Sequence, residues 1–232
     1  MSRGKLYGIG VGPGDPELLT LKALRYIKES DVVAVPGDNP KETVAYKIVE
    51  GAYKELDKKA LIGVEMPMIK DEAELDKAHD CAAQKIEKLL DEGKNVAFLT
   101  LGDVCVYSTY LYVHKRVLRD GYDAEIISGI PSFCATAARL NISLVERDEA
   151  LHIIPGTYKA DSMDEVLKLS GTKVLMKGGK KMAAIRDSII ASGQEAVMIE
   201  NCSMENEAIH LNAQEIPGDA SYFSLLIVKE KI

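Results

Sequence analysis

The chain has 232 residues, enough for one large domain or two modest ones. Apolar residues make up 47% and charged residues 28%, the balance of a water-soluble globular protein, and the net charge of −7 argues against a general nucleic-acid binder. No apolar run approaches the ~20 residues of a membrane span, and MSRGKLYGIG lacks the apolar core of a signal peptide, so a cytoplasmic location without a membrane partner is expected.

Lys5 to Val11 reads as a strand, and Gly12 to Pro16 is a dense turn signal. Glu17 to Ser30 carries Leu18, Leu21, Leu24 and Ile27 three apart, which predicts an amphipathic helix. Val32 to Val35 is a short strand closed by Pro36-Gly37, Lys41 to Leu56 is helical by pattern, and Leu61 to Met66 is a strand. Asp71 to Asp91 is a long charged helix with Leu75, Ala78, Ala82, Ile86 and Leu89 on one face. Val96 to Leu101 is an apolar run bounded by Gly93 and Gly102, the signature of a buried parallel strand. A helical pattern through Val106, Tyr110, Val113 and Val117 follows and ends near Arg119 with Gly121. Asp123 to Ser128 completes five strands alternating with four helices, an α/β pattern with a mostly parallel sheet.

After Gly129 the pattern changes. Helices are predicted over Pro131–Leu140, Met163–Leu169 and Lys180–Ala191, and strands over Leu151–Ile154, Lys173–Lys177 and Ala196–Glu200. Ala208–Ala213 and Tyr222–Val228 are two further strands with no helical segment between them, which predicts a mixed sheet with an antiparallel part. The expectation is two α/β domains, residues 1–130 and 131–232.

Cys81, Cys105, Cys134 and Cys202 form no CxxC pair, and His79, His114, His152 and His210 no HExxH, so reduced thiols and no protein-held metal are expected. Gly8-Ile9-Gly10-Val11-Gly12-Pro13-Gly14-Asp15 fails GxGxxG: the sixth position is Pro13 counted from Gly8 and Asp15 counted from Gly10. Two readings stay open there, a tight turn or a backbone-lined groove for a bulky ligand. Asp103, at the carboxyl end of the buried strand, either caps the next helix or faces a ligand. The donors of Gly129-Ile130-Pro131-Ser132 could meet an anion. Lys177-Gly178-Gly179-Lys180-Lys181 could clamp carboxylates or lie in solvent, and Glu200-Asn201-Cys202-Ser203 either faces a cleft or ends a sheet.

The segments GxGPGDPxLLTLKA, TLGDxxxYSTY, SGIPSFxAxAAxL, VLMKG and IENCS, in this order over essentially the whole chain, resemble the tetrapyrrole (corrin/porphyrin) methylase family. Within it, TLGDVCVYSTYLY is most similar to the precorrin-2 or cobalt-factor II C-20 methyltransferases of cobalamin biosynthesis. The resemblance implies two α/β domains with the active-site cleft between them, a homodimer, S-adenosylmethionine (SAM) as methyl donor and a tetrapyrrole partner. It places Pro13 beside the cleft, Leu101, Gly102, Asp103 and Val106 at the methionine end of SAM, and Pro131 and Ser132 on the next loop. It places Met176, Cys202 and the strand start at Phe223-Ser224 around the adenosine, and the Gly8–Asp15 loop and Pro36 region toward the tetrapyrrole. Asp103 then offsets the sulfonium charge or accepts the C-20 proton, and Tyr107 and Ser108 orient the substrate. Arg139, Arg147, Lys177, Lys180 and Lys181 are available for its carboxylates.

Three positions depart from the family pattern. Val104 follows Asp103 where proline is usual, Ser128-Gly129 stands where Pro-Gly is common, and Cys202 where glycine is common. The competing readings are a same-fold methylase for another tetrapyrrole position or for RNA, a non-catalytic SAM- or tetrapyrrole-binding module, and a nucleotide-dependent oxidoreductase.

Overall fold

The computed structural model describes residues 2–67, 69, 71–155 and 163–231, and of Lys180 the backbone alone. The chain divides into two compact units, Met1–Pro131 and Ser132–Ile232.

The first unit contains β1 (Lys5–Gly10), α1 (Leu21–Glu29), β2 (Val32–Pro36), α2 (Val44–Ala52), β3 (Ala60–Val64), α3 (Glu72–Asp91), β4 (Val96–Thr100), α4 (Tyr110–Arg119) and β5 (Asp123–Ile127). Its sheet has the order β3-β2-β4-β1-β5, and every pairing is parallel. All five residues of β4 are buried, because its alternate side chains serve two different cores. Val96 and Phe98 join Ile86 and Leu90 of α3 and Val113 and Val117 of α4. Ala97 and Leu99 join Ile27 of α1 and Ile48 and Val49 of α2 on the other face. A strand covered on both faces has no polar side to show, which is why its sequence is a continuous apolar run.

Three helices start later than periodicity predicts, and polar residues set the starts. Pro16–Leu18 is a separate 3-10 turn, and Thr20, in extended backbone, accepts from Ala23 N at 3.1 Å to begin α1. Thr43 does the same for α2, accepting from Tyr46 N at 3.2 Å. Both are side-chain caps that satisfy amides left over at a first turn. α4 begins at Tyr110 and not at Val106, since Tyr107 has φ 49° and cannot continue a right-handed helix.

The second unit contains α5 (Ser132–Leu140), β6 (Leu151–Pro155), α6 (Met163–Leu167), β7 (Thr172–Met176), α7 (Met182–Ser192), β8 (Glu195–Glu200), β9 (Ala208–His210) and β10 (Ser224–Lys229). The sheet order is β6-β7-β10-β8-β9. β6 and β7 are parallel, β10 runs antiparallel to β7 and β8, and β9 antiparallel to β8. β9 is shorter than predicted, and a 3-10 turn at Ala213–Glu215 occupies the interval read as free of helical structure. β10 starts at Ser224, two residues after the predicted Tyr222. Among the described residues, no helix is long and apolar enough to cross a membrane.

Candidate functional site

In the first unit three strands end against one another. Val11 N donates to Thr100 O at 2.9 Å, and Gly12 and Gly102 form a two-bond bridge, Gly102 N to Gly12 O at 2.8 Å and Gly12 N to Gly102 O at 3.2 Å. A Cβ on Gly10 would lie 2.6 Å from Gly129 N and 2.7 Å from Gly102 O, and one on Gly8 would enter the Tyr110 ring. The space beside Gly8 and Gly10 is therefore filled by the protein itself. Of the two readings of this loop, the close-packed turn holds at those two positions.

Asp103 lies three residues past the end of β4, directly after the bridging Gly102, and is 8% exposed. Its Oδ1 accepts from Cys105 N at 2.8 Å, and its Oδ2 accepts from Ser128 Oγ at 2.5 Å and Gly129 N at 2.9 Å. Burial alone would raise its pKa; the Ser128 hydroxyl and the amides of Cys105 and Gly129 outweigh it and hold the carboxyl below its ordinary value. The helix-cap reading fails, because α4 starts seven residues later at Tyr110, whose amide is taken by Ser108 Oγ at 3.2 Å. The Gly129 N–H is also committed to Asp103, which removes it from the donors read as free for an anion. Of the residues assigned with Asp103 from the sequence, Pro13 and Gly102 are buried, Leu101, Val106 and Pro131 half-buried, and Tyr107 exposed; next to Asp103 in the chain, Val104 is buried and Cys105 exposed. Burial and Asp103 push the Cys105 thiol up, so it stays protonated at neutral pH.

In the second unit, β10 starts where β7 and β8 end, because it runs antiparallel to both: Leu225 pairs with Met176 and Ser224 with Glu200. Lys177 N donates to Ser224 O at 3.3 Å, and Asn201 N to Phe223 O at 3.1 Å. Met176, Cys202 and Ser224 are thus at one end of one sheet. Lys177, Asn201 and Ser203 there have φ of 63°, 51° and 62°. Left-handed non-glycine backbone is costly and needs a frame to hold it. Glu200 supplies part of that frame, accepting from Ser221 N at 2.6 Å and pairing with His210 Nε2 at 3.1 Å. Asn201 Oδ1 accepts from Ser221 Oγ at 3.0 Å, and Glu207 accepts from Ser203 N at 2.7 Å and from Arg139 Nε at 2.9 Å. Against this bonded background, Ser224 Oγ and Thr136 Oγ1 are buried with no hydrogen-bond partner among the described residues.

Ser132 is half-buried and opens α5. Among the cations named for substrate carboxylates, Arg139 is paired with Glu207, and the Lys177 ammonium lies 5.6 Å from the centre of the Tyr222 ring. Arg147 and Lys181 are exposed, and the Lys180 side chain lies outside the described residues. Sequence reasoning missed Ser128 as the partner of Asp103, the bonds of Glu200 to Ser221 and His210, and the orphaned hydroxyl of Thr136. The Ser128 and Glu200 bonds join separate segments of the chain, and no periodicity carries that information.

A model of the Tetrapyrrole (Corrin/Porphyrin) Methylases matches residues 5–217. A Methanocaldococcus jannaschii protein named "Probable cobalt-precorrin-2 C(20)-methyltransferase" is 37% identical, with 97% of this chain and 96% of the relative aligned. A Sinorhizobium sp. precorrin-2 C(20)-methyltransferase is 31% identical over 97% of this chain and 95% of its own length. The fold recurs in uroporphyrin-III C-methyl transferase from Thermus thermophilus complexed with S-adenyl homocysteine. There the TM-score is 0.69 and the identity 22%, over 98% of each chain.

Proposed function

Because the chain belongs to the tetrapyrrole (corrin/porphyrin) methylase family, we propose that it transfers a methyl group from SAM to C-20 of precorrin-2 or cobalt-factor II in cobalamin biosynthesis. The observation that carries this reading is similarity over nearly the full length to two relatives bearing the C(20)-methyltransferase name. The donor reading has separate support: a family structure holds S-adenyl homocysteine, the spent donor. Ser224 Oγ, buried and without a hydrogen-bond partner among the described residues, offers the unused polar atom that a ligand hydroxyl or ring nitrogen would satisfy.

In this reading Met176, Cys202 and Ser224 hold the adenosine. Pro13, Leu101, Gly102, Asp103, Val106, Pro131 and Ser132 hold the methionine end. The bound donor supplies an electrophilic methyl on a positively charged sulfur. Asp103, ionised and fixed by three hydrogen bonds, sets a negative charge at the loop that receives that end. The same three bonds make it a weak base, so charge offset suits it better than taking up the C-20 proton. Tyr107, exposed in its left-handed turn, and Ser108 orient the macrocycle. Cobalt, where the acceptor has it, arrives inside the ring. The enzyme acts as a cytoplasmic homodimer without nucleic-acid or membrane partners, which a mass measurement in solution checks.

The test is incubation with methyl-labelled SAM and, in parallel, metal-free precorrin-2 and cobalt-factor II, followed by location of the label. Label at C-20 of one ring supports the reading and identifies the acceptor. Label at another ring carbon, or none on either ring, overturns it.

A further inference from the structure

Among the described residues, the loop between Gly102 and Tyr110 has little backbone-to-backbone bonding of its own. Before the start of α4 its internal backbone bond is Val106 N to Asp103 O at 3.3 Å, a long one, and Tyr107 within it has φ 49°. The loop is anchored instead by a side chain. The Asp103 carboxylate ties it inward to Cys105 and outward to the end of β5, through Ser128 and Gly129. The Gly129 bond comes from backbone and is available whatever residue precedes it. The Ser128 bond depends on a hydroxyl. That hydroxyl has an alternative acceptor in the adjacent Gly129 carbonyl at 3.4 Å, yet it sits 2.5 Å from Asp103 Oδ2. Charge-assisted O–H···O⁻ bonds are short and roughly twice as strong as neutral ones, so the shorter contact is the one that holds.

From this geometry we infer that Ser128 is a positioning residue for the methyl donor: its hydroxyl pins Asp103 and thereby fixes the Leu101–Val106 backbone that receives the donor's methionine end. The inference rests on the donor reading given above. Ser128 touches neither the donor nor the acceptor in this account. It acts through Asp103, and it sets how much of the loop's ordering cost is met before the ligand arrives. The Ser128 side is exposed and the Asp103 side is buried, so loss of the hydroxyl admits water to Oδ2 without opening a core cavity. Stability should therefore change little, while loop order should change substantially. The titratable group facing the carboxylate besides these donors is the Cys105 thiol.

The experiment compares wild type with Ser128→Ala, Ser128→Cys and Ser128→Thr in the full chain. Calorimetric titration with S-adenosylhomocysteine reads donor affinity, and steady-state kinetics read the KM of each substrate. Carbon-detected NMR reads the Asp103 carboxyl as pH is lowered. Ser128→Ala is expected to weaken S-adenosylhomocysteine binding about tenfold, the lower range for a bond to a charged group. Donor KM should rise in step while acceptor KM holds, and Asp103 should titrate at a higher pH than in wild type. Ser128→Thr, which keeps the hydroxyl, should restore binding to within about twofold, with the weak thiol donor of Ser128→Cys in between. Loss of a purely structural serine would lower thermal stability and raise both KM values together. Unchanged affinity and unchanged Asp103 titration in Ser128→Ala, beside a wild type that binds, overturn this inference alone. A wild type that fails to bind S-adenosylhomocysteine overturns the donor reading, and the positioning role with it.

Discussion

Two buried hydroxyls separate what a residue does for folding from what it does for binding. Ser224 Oγ and Thr136 Oγ1 lack partners among the described residues, and a buried polar atom without a bond costs about 1–3 kcal/mol. Thr136→Val keeps the shape and removes the orphan, so unfolding free energy should rise by ~1 kcal/mol, read by urea titration. Ser224→Ala should likewise be neutral or stabilising, yet weaken S-adenosylhomocysteine binding several-fold. Loss of stability with intact binding would remove Ser224 from the donor site. Gly10 shows the opposite dependence. A Cβ there meets backbone of Gly129 and Gly102, which cannot step aside as a flexible side chain can. Gly10→Ala should cost ~3 kcal/mol or more and lower the melting temperature accordingly.

At the scale of elements, the sequence made the strands legible and left the joints obscure. β4 is an unbroken apolar run because α3 and α4 cover one face and α1 and α2 the other, a cause that reaches the sequence directly. The mixed second sheet was readable from consecutive strands with little between them. Helix starts were not readable from apolar spacing. Leu18 and Val106 fit the period of the helices that follow, yet Thr20 and the left-handed Tyr107 decide where those helices begin. The proposed site was legible only as candidates. Motif order led to Asp103, Met176, Cys202 and Ser224, but the hydroxyl of Ser128 reaches Asp103 across 25 positions, through tertiary contact alone. Strand β7 hid another such contact. Lys173, the second residue of the strand, is 0% exposed, and its Nζ donates to Gln194 Oε1 at 2.9 Å, while Gln194 Nε2 reaches Leu167 O at 2.6 Å. Burial holds the Lys173 pKa below its ordinary value. Lys173→Met should keep the strand and stay within ~1 kcal/mol of wild type, because an apolar chain of similar length also relieves the desolvation of the amine. Lys173→Ala should cost ~2–4 kcal/mol through the void it leaves. Equal costs for the two variants would show that the hydrogen bond, and not the filled volume, holds β7 there.

For the whole molecule, the balance of buried titratable groups predicts how stability follows pH. His79 is held below its ordinary value by burial and by Arg116, against the pull of Asp76 and Asp80; His114 is held low by burial. His79 stacks on Tyr112 with ring centres 4.5 Å apart, and His114 Nδ1 lies 3.0 Å from the buried Tyr110 hydroxyl. Both rings are therefore neutral in the folded chain at pH 7. Below the ordinary histidine value of ~6.5 the unfolded chain binds protons that the folded chain refuses, so stability falls as pH falls through that window. Asp103 and Glu149 have the same sign at lower pH, since their folded values lie below those of the unfolded carboxyls. Glu87 opposes them. Burial and Asp120 raise its pKa, so the folded chain takes that proton first, and its contribution grows as pH drops. The histidine window lies above the ordinary carboxylate range and can be isolated. The urea midpoint should be level from pH 8 to 7 and fall between ~6.5 and 5. The double variant His79→Gln, His114→Gln should start from a lower midpoint at pH 7 and lose most of that slope. A double variant with the wild-type slope would place the proton uptake on other groups and leave the two rings as packing alone.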